Sequence, residues 1–209
     1  MVHDNDSHSS FTGYVGGLVA SNTSSITKSF SDIDITSKAR GISVSGFSTL
    51  NSGSITNSYS SGNILFNEGD HYSASGFVYK NSSAIRNCYS STSINNSGNN
   101  SSSDVICGFI ITNTYEGNIS RCFSYGDIEG TNISKSHRFG IENLLGFSFL
   151  NYCASDSIYD NGGTEGYFDN CAEVPQIEMK TTNFLNRLSF SFEIWEVKDD
   201  KLILSGVGE

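Results

Sequence analysis

Apolar residues recur along this chain at short even intervals in a background of Ser, Asn and Gly, and the whole pattern returns about every thirty residues. Gly17, Gly46, Gly76, Gly108 and Gly140 mark the register, followed by Leu18, Phe47, Phe77, Phe109 and Ile141. Asparagine stands five residues after the first four glycines, at Asn22, Asn51, Asn81 and Asn113. An aliphatic or aromatic position comes next (Ile26, Ile55, Ile85, Ile119, Phe149). It is followed by Phe30, Tyr59, Tyr89, Phe123 and Cys153, and then by Ile35, Ile64, Ile94, Ile128 and Ile158. A degenerate sixth copy reads Phe168, Ala172 and Ile177.

This spacing predicts short strands joined by tight turns. One such unit cannot bury its apolar face alone, whereas stacking equivalent strands about 4.8 Å apart pairs the backbone and lines up like side chains. The expected fold is therefore all-β: a right-handed parallel β-solenoid of about five to six coils, with a small C-terminal cap. The expected division is a polar segment over residues 1–12, the solenoid over 13–178 and the cap over 179–209. The isoleucines at 35, 64, 94, 128 and 158 should form one interior column and the Phe/Tyr series another. The asparagines should form a hydrogen-bonded ladder at a turn, and their replacement by Leu145 predicts an irregular fifth coil.

From Met179 onward the pattern changes. Phe184, Leu185 and Leu188 have helical spacing, Phe190, Phe192 and Ile194 alternate, and Asp199-Asp200 separates two apolar runs. These features predict a short helix, a strand and a β-hairpin, with the only Trp, Trp195, in a unit that covers the open end of the stack. The N-terminus has no comparable cap, which leaves that end open to homo-oligomer formation.

Charge narrows the partners. Twelve Lys and Arg against 22 Asp and Glu give a formal net charge of -10, which opposes direct binding to nucleic acid. No apolar run is long enough for a membrane span. The start, Met-Val-His-Asp-Asn-Asp-Ser-His, is unlike a secretion signal, so the chain reads as cytoplasmic if Met1 is its native start. Cys88, Cys107, Cys122, Cys153 and Cys171 form an odd set without CxxC spacing, which favours buried reduced thiols over a disulfide framework. Cys88, Cys122 and Cys171 share a repeat position with Ser29 and Ser58 where a small residue is wanted.

The segments Gly16-Gly17-Leu18-Val19-Ala20-Ser21-Asn22 and Gly53-Ser54-Ile55-Thr56-Asn57-Ser58-Tyr59-Ser60-Ser61-Gly62 resemble the GLUG repeat over roughly residues 13–177. That repeat occurs in bacterial surface proteins, including adhesin-like proteins and N-terminal regions of immunoglobulin-A-specific metallopeptidases. The resemblance implies a β-solenoid that is secreted or displayed at a cell surface and acts as a spacer or binding surface. Peptidase chemistry is not implied, because no HExxH motif is present.

Other chemistry has weaker support in the residues. Asp32 and Asp34, on one side of a strand, together with Asp127 match no more than part of a glycosidase carboxylate set, without the required partners. Asp160 to Glu165 offers oxygen ligands but lacks a full calcium-loop spacing. His71 or His137 with neighbouring cysteines lacks zinc-site spacing, so neither metal nor cofactor is expected. Loops recur at one repeat position and should emerge along one edge. With the acidic turns, they supply the candidate contact residues Asp32, Asp34, Glu68, Asp70, His71, Tyr72, Asp104, Asp127, Glu129, Lys135, His137 and Arg138.

The expected function is a non-catalytic, adhesin-like module that offers an acidic Ser/Asn-rich face and a loop edge to a protein or glycan partner. The alternative is an intracellular phage or prophage protein that inhibits a basic nucleic-acid-handling enzyme by acidic mimicry. A carbohydrate-active enzyme is the weaker alternative.

Overall fold

The computed structural model describes residues 2–3, 13–38, 41–67, 73–97, 105–130, 133, 135–140, 147–155 and 171–206. Their strands form five parallel sheets of four to six strands and one antiparallel hairpin. The second coil traces the path shared by all: Ile42–Ser45, Ser48–Asn51, Ile55–Thr56, Tyr59–Ser61 and Asn63–Phe66. Each strand pairs in parallel with its equivalent in the coils on either side, which makes the chain a β-solenoid. Val2–His3 pairs with Thr36–Ser37 and covers part of the first coil's edge.

The isoleucines behave as expected. Ile35, Ile64, Ile94 and Ile128 are direct neighbours from coil to coil, as are Ile26, Ile55, Ile85 and Ile119. The two columns nevertheless belong to separate apolar lobes, one around Ile64, Phe66 and Ile106, the other around Ile55, Phe77 and Phe109. Between the lobes the walls of the coil pinch together. Ser60 Oγ donates to the carbonyl of Gly76 at 2.7 Å. A Cβ on Gly76 would stand 2.0 Å from the Gly108 carbonyl oxygen and 2.3 Å from Ser90 Oγ. Glycine recurs at this position wherever the carbonyl of a following coil lies against it and leaves no room for a Cβ.

The asparagine ladder is present. Asn22, Asn51 and Asn81 each donate Nδ2–H to the Oδ1 of the next asparagine, at 2.7 Å in every case, the last acceptor being Asn113. Asn22 and Asn81 also accept from the backbone N–H two residues on, so the same side chains fix the turn. A second feature was hidden in the sequence. Lys28, Asn57, Asn87, Arg121 and Leu150 occupy equivalent corners, all with φ between 50° and 57°. Asparagine tolerates this left-handed conformation better than the others.

Those corners correct the register of the fifth coil. Tyr152, not Cys153, pairs with Phe123, and Ser148 and Phe149 lie opposite Ile119 and Ser120. Phe149 is consequently half exposed. Phe139 rather than Ile141 continues the Phe47, Phe77 and Phe109 stack, with ring centroids 4.6, 4.8 and 4.7 Å apart. Gly140 then bridges to Ile110, and Arg138 stands where the earlier coils have glycine. The sixth copy contributes the strand Ala172–Val174, paired with Tyr152–Ala154. Ile177 leaves the solenoid pattern and lies exposed in a helix. Leu145, Ile158, Phe168 and the turn from Asp160 to Glu165 lie outside the described residues.

Two further expectations are overturned. The reduced-thiol expectation fails at Cys153 and Cys171, which form a disulfide with a Cα–Cα distance of 5.7 Å. Adjacent coils place the two residues within bridging range, whereas Cys88, Cys107 and Cys122 are buried outside any disulfide. The aromatic column, expected inside, faces outward. Strand alternation points Ser31, Ser60, Ser90 and Ser124 into the waist and Phe30, Tyr59, Tyr89, Phe123 and Tyr152 away from it.

The C-terminal unit covers that outward column instead of closing the end of the stack. It comprises α1 (Gln176–Met179), α2 (Thr182–Arg187) and a hairpin of Trp195–Lys198 with Lys201–Leu204. Thr181 caps α2 by accepting from the Phe184 N–H at 3.2 Å. Asp199 and Asp200 both have positive φ, as a two-residue hairpin turn of the primed type requires. Residues 190–194 form turns, not the expected strand, because only Phe190 of the alternating set is fully buried. Trp195 packs 6.2 Å from the Tyr59 ring and 5.7 Å from that of Tyr89, while Phe184 meets Phe123 and Tyr152 edge-on.

Candidate ligand-binding cleft

Alternation in the Asn63–Phe66 strand buries Ile64 and Phe66 and turns Asn63 and Leu65 outward. Stacking extends these positions into columns. One runs Asp34, Asn63, Ser93 and Asp127, and its neighbour runs Thr36, Leu65, Asn95 and Glu129. Around the preceding corner a third runs Asp32, Ser61, Ser91 and Tyr125. The result is a polar trough along one flank of the solenoid.

Hydrogen bonds between coils order it. Asp32 accepts from Ser61 Oγ at 2.8 Å. Asp34 Oδ1 accepts from the Asn63 backbone N–H at 2.9 Å and from its Nδ2 at 2.8 Å. Asn95 Nδ2 donates to Glu129 at 3.2 Å. The part of the trough lined by Asn63, Leu65, Ser93, Asn95, Asp127 and Glu129 encloses about 420 Å³. Asn63 and Ser93 also line a neighbouring cleft of about 490 Å³ between the solenoid flank and the C-terminal hairpin. Tyr59, Tyr89, Tyr125, Asp32, Lys180, Asp200 and Lys201 are among the groups lining this cleft.

Of the residues selected from sequence, Asp32, Asp34, Asp127 and Glu129 share this flank. Asp34 and Asp127 occupy the same column three coils apart, about 14 Å at the usual strand spacing. Asp32 and Asp34 are both exposed, and Asp34 lies beyond the end of its strand. His137 is buried, not at an exposed edge. Arg138 forms an ion pair with Glu173 at 2.6 Å, which ties the waist to the last solenoid strand. Lys135 lies in a strand paired with Val105–Cys107. Glu68, Asp70, His71, Tyr72 and Asp104 lie outside the described residues. Among the described residues no three His, Cys, Asp or Glu side chains gather as a metal site, and no helix is long and apolar enough to cross a membrane.

The sequence pattern gives no sign of Tyr125, Lys180, Asp200 and Lys201 as site residues, nor of the placement of Tyr59 and Tyr89. Asp199-Asp200-Lys201 is visible as a turn, but nothing in its spacing says which flank the turn overhangs. The Tyr89 hydroxyl donates to the Leu202 carbonyl and so couples the cleft floor to the hairpin. Burial pushes the phenol of Tyr89 well above the ordinary tyrosine range, with the neighbouring Tyr125 and Tyr59 adding to the shift. Burial also raises Tyr59, helped by the Asp32 carboxylate.

A pKa higher in the folded than in the unfolded chain gives stability that is complete below the unfolded value and is lost as pH rises towards the folded one. Urea midpoints should therefore fall as pH rises above about 10, with Tyr89 the chief contributor. Tyr89→Phe should flatten that fall. An unchanged slope in the variant would show that the phenol is not held in its neutral form.

Comparison of the chain with protein-family models, with curated proteins and with solved structures finds no match in any of the three.

Proposed function

We propose that this protein is a non-catalytic binding module whose rigid stack presents the polar trough to an extracellular partner. The observation that carries this reading is the regular lattice of Ser, Asn and carboxylate groups held by bonds between coils. Such preorganisation lowers the entropy cost of binding a hydrogen-bonding ligand. Asp34 and Asp127, three coils apart, are too widely separated to act as the acid and base of a glycosidase, which stand roughly 5–9.5 Å apart.

The disulfide between Cys153 and Cys171 favours an oxidising compartment. This supports surface display, in keeping with the GLUG-repeat resemblance and adhesin-like use, and weighs against an intracellular inhibitor.

Affinity capture from surface extracts of the native host tests the reading, with the full chain compared against an Asn63→Arg/Asn95→Arg variant. We expect wild type to retain a protein or glycan that the variant loses, with the variant's melting temperature unchanged. Capture that ignores the substitutions, or chemical turnover of the retained molecule, would count against it.

A further inference from the structure

The cleft beneath the hairpin differs in charge from the rest of this acidic chain. The whole sequence carries 12 basic and 22 acidic side chains, whereas Lys180 and Lys201 balance Asp32 and Asp200 here. Among the described residues, neither lysine nor Asp200 enters an ion pair. The Lys180 ammonium instead lies 5.4 Å from the centre of the Tyr125 ring, on the cleft wall. Two lysines and two carboxylates thus border about 490 Å³ of space, a volume within the usual range for small-ligand sites. Ser61, Ser91, Ser93 and Asn63 supply neutral donors and acceptors along the same wall.

A ligand that satisfies this set needs several hydroxyls and one anionic group. Carboxylates at Asp32 and Asp200 suit hydroxyl donors, and two ammonium groups suit a carboxylate. A neutral sugar would leave both lysines unused, and a polyanion would meet Asp127 and Glu129 as it ran on into the trough. We propose that the cleft binds the acidic sugar of a glycan, with Lys180 and Lys201 facing its carboxylate, Asp32 and Asp200 facing ring hydroxyls, and the adjoining neutral sugars lying along the Ser/Asn trough. This rests on the binding-module reading and deepens it by naming the ligand class.

Calorimetric titration of the full chain with sialyllactose and with a disaccharide carrying a single glucuronate tests the assignment, each beside its carboxyl-reduced counterpart. At least one acidic form should bind about tenfold more tightly than its reduced form, and that advantage should shrink as salt rises. Lys180→Ala/Lys201→Ala should remove the advantage, and Asp32→Asn should weaken acidic and reduced forms alike. Because Lys180 touches Tyr125, Lys201→Glu alone provides a second variant on the exposed hairpin, and it too should remove most of the advantage. Equal affinity for acidic and reduced forms, no binding of either acid, or an advantage that survives both lysine variants would overturn the assignment. A protein partner still captured through Asn63 and Asn95 in that event would leave the broader binding reading standing.

Discussion

Replacing Gly76 by alanine should cost about 3 kcal/mol of stability, read as a lower urea midpoint at unchanged slope. The added methyl carbon would lie 2.0 Å from a backbone oxygen of the next coil and 2.3 Å from Ser90 Oγ, far inside van der Waals contact. Local relaxation offers little escape. The neighbouring glycines are equally confined, with a Cβ on Gly46 standing 2.1 Å from the Gly76 oxygen and one on Gly108 2.0 Å from the Arg138 oxygen. Moving one coil therefore presses on the next, as expected of a close-packed interior. Gly206→Ala is the control. Nothing lies within 4 Å of its added carbon, and only its φ of 74° is unfavourable, so the cost should be about 1 kcal/mol. A Gly76 variant no less stable than the Gly206 variant would mean that the two lobes are not pinched apart at this waist.

Trp195→Ala should cost about 3–5 kcal/mol, the usual penalty for removing a buried aromatic, and the loss should be local. Trp195 is fully buried against Phe190 and the outward column of Tyr59 and Tyr89. The solenoid lobes share none of these side chains. Hydrogen exchange should accelerate across Trp195–Lys198 and Lys201–Leu204 while the amides around Ile85, Ile94 and Ile119 remain protected. Uniform acceleration through every coil would show that the C-terminal unit supports the stack as a whole and is not docked on its flank.

The two substitutions probe features of unequal legibility. The glycine column is visible in the sequence as a recurring residue, and only its reason, the closeness of facing walls, required coordinates. The docking of Trp195 is not visible there at all. An aromatic at every thirtieth position fits an interior column as well as a covered exterior one, because tyrosine and phenylalanine are apolar enough for either. The candidate site divides in the same way. Asp32, Asp34, Asp127 and Glu129 could be selected as acidic turn and strand-end residues of the repeat, and stacking gathers them on one flank. Lys180, Asp200 and Lys201 join the cleft only because a unit outside the repeat folds back across that flank.

What the sequence determined by itself is the stack: its period, the isoleucine columns and the asparagine ladder. Equivalent residues in successive coils must meet, so a repeating one-dimensional pattern fixes those neighbours directly. Only the tertiary structure decided which face of the aromatic strand points outward, how the fifth coil shifts to bring in Phe139 and Tyr152, and that Cys153 reaches Cys171. Those outcomes depend on contacts between non-equivalent segments, where strand alternation supplies two faces and long-range packing alone chooses between them.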